Sequence, residues 1–249
     1  KGYKDVLLLG QNVNSYGNDF KNEVNFSKLL DEICKIEGKY WIRYVSPHPK
    51  DLTQDVLDVM AKYPDKIANS MHLPLQSGST RILKKMNRKY SKEEYLELVE
   101  KIRKTIPNIS LTTDIIVGFP GETEEDFLDT LDVVGKVKYE NAYMFKYSIR
   151  EGTPAATMED QVPEDEKQSR LLRLMELQNE NAKEISLSYL GKTVKVLVEG
   201  VSHKNKTRMT GRTSENKVVI FEGDSSLKGT FVNVKITKAK TWTLYGELV

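Results

Sequence analysis

The stretch Thr112-Thr113-Asp114-Ile115-Ile116-Val117-Gly118-Phe119-Pro120-Gly121-Glu122-Thr123 decides the fold of this chain. Its apolar, β-branched residues predict a buried strand over Leu111–Val117, interrupted by the carboxylate of Asp114. Gly-Phe-Pro-Gly predicts a sharp turn, and the acidic run from Glu122 predicts the capped first turn of a helix. Because an unpaired charge in a buried strand is costly, Asp114 is a candidate site residue at a strand–loop–helix junction.

The first 150 residues repeat this order of strand, polar loop and helix. The expected strands are Val6–Leu9, Trp41–Val45, Met71–Leu75, Leu111–Val117 and Ala142–Tyr147. The expected helices are Phe26–Lys39, Leu52–Lys62, Thr80–Met86, Ser91–Thr105 and Glu124–Val137. The alternation predicts an α/β fold with a parallel sheet. The strands are too few for a complete eight-stranded barrel, so we expect an open, partial βα barrel over residues 1–160.

The rest of the chain changes character. A long helix is predicted over about Asp165–Leu190, and it makes residues 161–188 a connector between two domains. Its expected buried face comprises Leu171, Leu172, Leu174, Met175, Ala182, Ile185 and Leu187. Residues 189–249 contain short strand patterns that predict a small all-β barrel. Those patterns are Thr193–Val201, Arg208–Arg212, Lys217–Phe221, Thr230–Lys238 and Leu244–Val249.

Composition excludes several classes of protein. The 249 residues are 39% hydrophobic and 30% charged, and they contain no apolar run of membrane-spanning length, so no membrane partner is expected. The lone cysteine, Cys34, rules out an intrachain disulfide, is expected to be a core thiol, and fits a reducing, cytoplasmic location. Because an iron–sulfur cluster needs several thiolates, no metal site is expected in this chain.

Charge is unevenly distributed along the sequence. Residues 189–249 carry 11 Lys and Arg against 5 Asp and Glu, whereas residues 1–188 carry 27 against 31. Phosphate neutralisation by basic side chains, combined with base stacking on aromatic rings, is how small β-barrels bind RNA. The candidate RNA-binding residues are Lys204, Lys206, Arg208, Arg212, Lys217, Lys238 and Lys240, with Phe221, Phe231, Trp242 and Tyr245 interleaved. A soluble barrel with a lysine-rich face is the alternative.

Polar side chains in separate βα loops are expected to meet on one face of the partial barrel. Asp114 can accept the hydroxyls of a ribose, Arg88 suits a carboxylate, and Gln76 offers both a donor and an acceptor. A nucleoside that carries an amino acid would use all three. Ordinary loop and capping polarity is the alternative at this point. His48, His72 and His203 are expected to be structural or surface residues.

Several long strings in this order resemble the radical-SAM methylthiotransferases. They are LLLGQNVNSYG (Leu7–Gly17), HLPLQSGSTRILKKMNRKY (His72–Tyr90), TDIIVGFPGETEEDF (Thr113–Phe127) and YSIREGTPAA (Tyr147–Ala156). The string TGRTSENKVVIF (Thr210–Phe221) resembles the RNA-binding TRAM domain that closes these enzymes.

The resemblance implies a tRNA-modifying transferase. The string GQNVNSYG is similar to the branch that inserts sulfur at C2 of N6-isopentenyladenosine beside the anticodon and then methylates it. Its cofactors are S-adenosylmethionine (SAM) and two [4Fe-4S] clusters, and its partner is the anticodon stem-loop of tRNA, with the sulfur donor left open. The alternatives are the branch that methylthiolates an aspartate of a ribosomal protein and a non-catalytic RNA-binding module.

The resemblance also implies roles for single residues. Gln76, Arg88 and Asp114, with Ser77 in the same loop as Gln76, match positions that hold the ribose and carboxylate of SAM. The backbone of Val117, Gly118 and Phe119 matches the adenine contact, and Gly10, Gln11 and Asn12 match contacts to the SAM amino group. Tyr147 and Arg150 are the candidates for positions near the substrate, and no catalytic residue is assigned beyond them.

One departure from the family pattern is large. The Cys-x-x-x-Cys-x-x-Cys loop that binds the radical cluster does not occur in the sequence, and neither does the N-terminal domain that carries the second cluster. The chain is therefore expected to be a C-terminal fragment of the enzyme, without the cluster ligands and inactive on its own.

Overall fold

The computed structural model describes residues 2–20, 24–45, 49–202 and 205–249. Its α-helices are α1 (Phe26–Lys35), α2 (Gln54–Lys62), α3 (Thr80–Lys85), α4 (Lys92–Thr105), α5 (Glu124–Val137) and α6 (Glu164–Leu187). Its strands are β1 (Asp5–Leu8), β2 (Trp41–Tyr44), β3 (Ser70–His72), β4 (Ser110–Val117), β5 (Asn141–Lys146), β6 (Thr193–Ser202), β7 (Asn205–Arg212), β8 (Val218–Glu222), β9 (Phe231–Lys240) and β10 (Thr243–Leu248).

The first half of the chain forms an open parallel sheet in chain order. Strand β1 pairs with β2, and β4 lies between β3 and β5, all in parallel. The segment before β3 joins the β1–β2 pair to strands β3–β5. The amide of Ile42 donates to the carbonyl of Lys66 at 2.7 Å, and the amide of Ala68 donates to the carbonyl of Ile42 at 2.9 Å. The sheet is open at β1 and β5. The predicted α/β fold with a partial βα barrel is confirmed.

Strand β3 is shorter than the predicted Met71–Leu75, and Pro74 is the physical reason. Proline has no N–H to donate to a ladder, so the regular pairing stops at His72. Beyond it, the amide of Leu75 turns to the hydroxyl of Thr113 at 2.9 Å. The amide of Gln76 then rejoins β4 through the carbonyl of Asp114 at 2.8 Å. This irregularity brings the loop after β3 against the middle of β4.

Strand β4 alternates between two environments. Leu111, Ile115 and Val117 are buried in the main core under the helices, as predicted. Asp114 is half-buried on the opposite, inner face of the sheet. The alternation follows from the two-residue period of a strand, and it places the carboxylate on the face that the helices leave open.

Strands β6–β10 close into a barrel in the order β10-β8-β7-β6-β9, with β9 and β10 paired to complete the ring. Neighbours are antiparallel except β10 and β8, which run parallel. Val196, Val219 and Ile236 lie in its core with other buried apolar side chains. The predicted small all-β barrel is confirmed.

Helix α6 buries only part of the predicted face: Leu174 and Ala182 are buried, and Leu171 packs against the core. Leu172, Met175 and Leu187 are 56%, 40% and 45% exposed. The buried stripe is instead largely polar, and apart from Leu174 and Ala182 it comprises Lys167, Arg170, Gln178, Asn181 and Ser186. The reason is what the helix packs on: the amides of Gln178 and Asn181 donate to backbone carbonyls of Tyr139 and Val134 at 2.9 and 3.2 Å. Because buried backbone carbonyls require hydrogen-bond donors, the face of α6 that covers these carbonyls at the end of α5 carries polar side chains.

The β-barrel packs against the end of the sheet at which the parallel strands begin. The rings of Trp41 and Phe231 meet edge to face with centroids 4.8 Å apart. The guanidinium of Arg43 donates to the carbonyls of Thr213 and Ser214 at 3.0 and 2.9 Å. Within the described residues, none of the helices combines the length and apolar character that crossing a bilayer requires.

Candidate functional site

A cavity of about 1060 Å³ lies at the end of the sheet where β4 and β5 finish. Its volume is large enough for a nucleotide-sized ligand. The walls come from the loop after β3, the end of α3, strands β4 and β5, and the segment that follows β5. The residues that line it are Gln76, Lys85, Met86, Asn87, Arg88, Asp114, Ile116, Phe119, Phe145, Lys146, Tyr147, Ser148, Arg150, Thr153, Pro154, Ala155 and Met158.

Gln76 and Asp114 are held side by side in the wall of the cavity. Gln76 adopts a left-handed backbone conformation with φ of 68°, and its amide and carbonyl both bond to β4. A positive φ is costly for a non-glycine residue, so the two ladder bonds maintain this conformation. The pair presents an amide and a carboxylate to the same space, which is the donor and acceptor set that a ribose requires.

Two buried polar atoms in the wall have no hydrogen-bond partner among the described residues. They are the Nε of Arg88 and the phenol oxygen of Tyr147. Buried polar groups are nearly always satisfied in proteins, and unsatisfied ones need an explanation. Both residues line the cavity, so a polar ligand can supply the missing partners.

Close packing at Gly118 and the buried carboxylate of Glu122 fix the turn after β4. Gly118 has a φ of 71°, and a Cβ atom there would lie 2.3 Å from the Cγ of Lys167. Its amide donates to the Oε1 of Glu122 at 3.0 Å, and that carboxylate also accepts from the buried guanidinium of Arg170. Burial raises the pKa of Glu122. The result is a rigid turn that places the ring of Phe119 in the cavity wall.

The structure brings together some of the predicted ligand-binding residues and separates others. Gln76, Arg88, Asp114, Phe119, Tyr147 and Arg150 all line the cavity. Ser77, Val117 and Gly118 lie behind its wall: Ser77 is fully buried, and the carbonyl of Val117 accepts from the amide of Tyr147 at 2.8 Å. Gly10, Gln11 and Asn12 lie exposed on the loop after β1 and do not line the cavity.

Sequence reasoning missed two parts of the site. The first is the wall formed by Thr153, Pro154, Ala155 and Met158, which has no strand or helix periodicity to reveal it. The second lies behind the cavity wall: it is His72, whose Nε2 lies 3.2 Å from the Oδ2 of Asp114. The sequence does contain a signal for His72: it is a polar residue in an otherwise apolar strand, just as Asp114 is in the next strand.

The predicted RNA-binding residues have different environments. Lys206, Lys238 and Lys240 are exposed, whereas Arg208 and Arg212 are half-buried beside Glu222 and Glu199 at 3.9 and 3.0 Å. Lys217 is buried in the domain interface, where it pairs with Glu140. In this arrangement Lys217 is not accessible to RNA. Lys204, His48 and His203 lie outside the described residues.

The basic side chains do not form one continuous stripe. Lys206, Arg208 and Arg212 lie on β7, whereas Lys238 and Lys240 lie on β9, and these two strands are not neighbours in the barrel. The interleaved aromatic residues also differ. Phe221 is in the barrel core, Phe231 packs on Trp41, Tyr245 lies beneath Lys240, and Trp242 is 46% exposed.

The described part of the chain holds no group of three or more His, Cys, Asp or Glu side chains that could bind a metal ion. Cys34 is buried, as expected, and burial raises the pKa of its thiol to about 11. A buried thiol with a raised pKa is a poor metal ligand, because the thiolate is the form that binds. These residues do not fit an iron–sulfur site.

The sequence profile of the radical SAM superfamily matches residues 1–134, more than half of the chain. The chain belongs to the radical SAM superfamily. The profile of the TRAM domain matches residues 187–249, which contain the β-barrel. Gln76, Arg88 and Asp114 of the cavity lie within the radical SAM match, and the basic barrel is a TRAM domain.

Curated relatives match the chain along its whole length. It is 64% identical over 249 residues to the tRNA-2-methylthio-N(6)-dimethylallyladenosine synthase of Fusobacterium nucleatum, of which it covers 57%. It is 57% identical to the synthase of that name in Acetivibrio thermocellus, of which it covers 52%. The chain thus spans about half the length of the curated relatives it matches.

A solved structure supports the fold. Coproporphyrinogen III oxidase (HemN) from Escherichia coli, a radical SAM enzyme, matches 85% of this chain and 50% of its own, with a TM-score of 0.50 and 15% sequence identity. At that identity the likeness concerns the fold alone.

Radical SAM enzymes use SAM and [4Fe-4S] clusters, and this chain fits the two differently. The unpartnered Arg88 and Tyr147 atoms and the Gln76–Asp114 pair suit a ligand with a carboxylate and a ribose. The residues therefore fit SAM, while the cluster ligands are not among the described residues.

Proposed function

We propose that this chain is part of a tRNA methylthiotransferase that modifies C2 of N6-isopentenyladenosine next to the anticodon. The observation that carries the proposal is the 64% identity, over every residue of the chain, to a curated synthase of that modification. The cavity supports the proposal, because its hydrogen-bond donors and acceptors suit the ribose and the carboxylate of SAM. We place the activity in the cytoplasm, where tRNA is available as substrate.

In this proposal the residues of the cavity bind and orient SAM. Asp114 accepts from the ribose hydroxyls, Arg88 pairs with the carboxylate of the methionine part, and Gln76 supplies a further amide contact. SAM supplies radical and methyl chemistry when it is bound in enzymes of this superfamily. Phe119 and Phe145 offer apolar surface to a base, and Arg150 lies at the rim where a tRNA phosphate would pass.

The target adenosine must leave its stack to reach such a cavity. Single-stranded loops present splayed bases more cheaply than duplexes do, which favours the anticodon loop as substrate. The exposed Lys206, Lys238 and Lys240 of the TRAM barrel, with Arg208, Arg212 and the exposed ring of Trp242, are proposed to hold the rest of the RNA.

The test uses the complete parent protein, reconstituted with iron and sulfide and incubated with SAM and tRNA that carries N6-isopentenyladenosine. We expect mass spectrometry of the digested tRNA to detect the 2-methylthio derivative. The variant Asp114→Ala should bind SAM weakly and form little product. Modification of a ribosomal-protein aspartate in place of tRNA would assign the chain to the other branch of methylthiotransferases.

RNA binding by the barrel is a separate function with its own test. The exposed lysines on β7 and β9 favour it, whether or not the protein is active as an enzyme. We expect the tRNA affinity of the 249-residue chain to fall linearly with salt on a log–log plot, because each neutralised phosphate releases counterions. The variant Lys206→Glu/Lys238→Glu should lower both the affinity and the slope. A weak, salt-independent affinity would contradict RNA binding.

A further inference from the structure

Both ring nitrogens of His72 are engaged on the inner face of the sheet. Its Nε2 lies 3.2 Å from the Oδ2 of Asp114, and its Nδ1 lies 2.9 Å from the hydroxyl of Thr112. The parallel pairing of β3 with β4 sets this arrangement, because His72 is in register with Thr112, two residues before Asp114 on the same face. The ring of Tyr143 from β5 meets the imidazole edge to face at 5.9 Å.

The direction of the hydrogen bond to Asp114 follows from chemistry. An ionised carboxylate only accepts, so the Nε2 of His72 must carry the proton and donate it. In the neutral imidazole, Nδ1 then has no proton and accepts from the hydroxyl of Thr112. Asp114 therefore selects the tautomer of His72, and the hydroxyl of Thr112, which can donate or accept, satisfies the remaining ring nitrogen. This chain of three residues crosses from one strand to the next and back.

His72 stands behind the carboxylate and not in the cavity. Asp114 lines the cavity, whereas His72 does not, and their side chains are 33% and 19% exposed. Within the described residues, the other carboxylate oxygen of Asp114, Oδ1, accepts no side-chain hydrogen bond. The imidazole thus occupies one oxygen and restricts rotation of the carboxylate, which leaves the second oxygen for a ligand.

We propose that His72 is a positioning residue: by donating to Oδ2 of Asp114, with Thr112 satisfying its other ring nitrogen, it sets the orientation in which Asp114 contacts the ribose of SAM. This inference rests on the proposed function, since it assumes that Asp114 contacts SAM. It assigns His72 no contact with SAM and no proton-transfer step. A carboxylate held in one orientation loses less freedom on binding, and preorganisation of this kind increases affinity.

The experiment measures binding and not turnover. Equilibrium dialysis of the complete, cluster-reconstituted protein with SAM and with the unreactive S-adenosylhomocysteine gives Kd values for the wild type and for His72→Ala, His72→Gln, Thr112→Val and Asp114→Asn. We expect His72→Ala to raise Kd roughly 10- to 100-fold, the range for a lost hydrogen bond to a charged group. His72→Gln, whose amide can still donate to Asp114, should restore affinity to within a few-fold of the wild type. Thr112→Val should have a smaller effect than His72→Ala.

A double variant separates positioning from a general structural role. If His72 acts through Asp114, His72→Ala/Asp114→Asn should bind no more weakly than Asp114→Asn alone, because the two changes remove one shared interaction. Additive effects in the double variant, or an unchanged Kd in His72→Ala, would overturn the proposal. If His72→Ala does not fold, the comparison of His72→Gln with Thr112→Val takes its place, and equal, large losses in both would count against positioning.

The outcomes also distinguish this inference from the proposed function. An unchanged Kd in Asp114→Asn would remove Asp114 from the SAM site, and the proposed function would lose its cofactor assignment. A raised Kd in Asp114→Asn together with an unchanged Kd in His72→Ala would leave the SAM site intact and reject only the role of His72.

Discussion

Arg170 and Glu122 form a buried ion pair between helix α6 and the turn that borders the cavity. The Nη1 of Arg170 lies 2.8 Å from the Oε1 of Glu122, and the two side chains are 2% and 1% exposed. The same guanidinium nitrogen donates to the carbonyl of Glu122 at 3.0 Å. Since Glu122 also accepts from the amide of Gly118, the helix that leads to the TRAM barrel holds the turn after β4 in place.

Removing the cation should destabilise the fold strongly. Arg170→Ala leaves a buried carboxylate without its partner, and we expect it to lower the free energy of unfolding by about 3–5 kcal/mol in urea titrations. The matched control is Lys104→Ala, which removes one member of the exposed pair with Glu100 in α4. It should cost less than about 1 kcal/mol, as exposed pairs do.

Removing both members should be better tolerated than removing one. In Arg170→Met/Glu122→Gln neither charge of this buried pair remains, so the double variant should unfold at a higher urea concentration than Arg170→Ala. The loss in Arg170→Ala should also depend on pH. Burial raises the pKa of Glu122, and Arg170 opposes that rise. Without Arg170 the pKa of Glu122 rises further, so the folded variant binds more protons than its unfolded chain, and its stability falls as pH rises from the unfolded to the folded pKa of this carboxyl. A pH-independent loss would contradict this account.

Asp126 should govern part of the stability in acid. Burial alone would raise the pKa of its carboxyl, but hydrogen bonds from Arg81, Ser79 and Thr123 hold the pKa well below its ordinary value of 3.8. The unfolded state therefore binds more protons in acid, and the stabilisation is lost as pH falls below about 4. Asp126→Asn should lower the free energy of unfolding by roughly 1–3 kcal/mol at neutral pH. It should also reduce the fall in stability with falling pH, which we call the acid limb.

Glu125 provides the control for that titration. It lies exposed in the same first turn of α5. Glu125→Gln should leave the acid limb as steep as in the wild type, because the hydrogen bonds from Arg81, Ser79 and Thr123 go to Asp126. Urea titrations at several pH values between 2.5 and 7 would show the difference, and equal limbs in the wild type and Asp126→Asn would refute the assignment.

Cys34 should react slowly in the folded protein. Its side chain is buried in α1, and burial raises its pKa to about 11. At pH 8 about one thiol in a thousand is then ionised, compared with about a quarter for a free cysteine. We expect Ellman's reagent to label the peptide that contains Cys34 much more slowly than glutathione, and denaturant to remove the protection. Labelling at the rate of a free thiol would show that the helix opens readily.

Two lysines of the TRAM barrel should separate stability from RNA binding. Lys217 donates to the hydroxyl of Ser186 at 2.8 Å and pairs with Glu140, whose pKa is raised by burial. Lys217→Met should lower the free energy of unfolding by about 3 kcal/mol and leave tRNA affinity unchanged in the folded protein. Lys238→Ala, at an exposed site, should keep stability within about 0.5 kcal/mol and weaken tRNA binding. A reversed pattern would place the RNA surface at the domain interface.

The sequence by itself determined the local structure. The β-branched run around Ile115 and the acidic turn after Gly121 predict β4 and α5 to within a residue, because hydrophobic period and capping chemistry act over a few residues. The same local signals selected Asp114 and Arg88, since charges next to apolar strands and helices are conspicuous in a linear sequence. The long motifs then indicated the superfamily.

The tertiary structure alone decided which of these residues meet. The polar stripe of α6, the burial of Lys217 and the place of His72 behind Asp114 depend on partners from distant parts of the sequence. Composition assigned Lys217 to the surface because lysine is usually exposed, but Glu140 supplies the charge that makes its burial tolerable. A hydrophobic pattern shows where a side chain prefers to lie, and only the packed fold shows which charge or carbonyl it finds there.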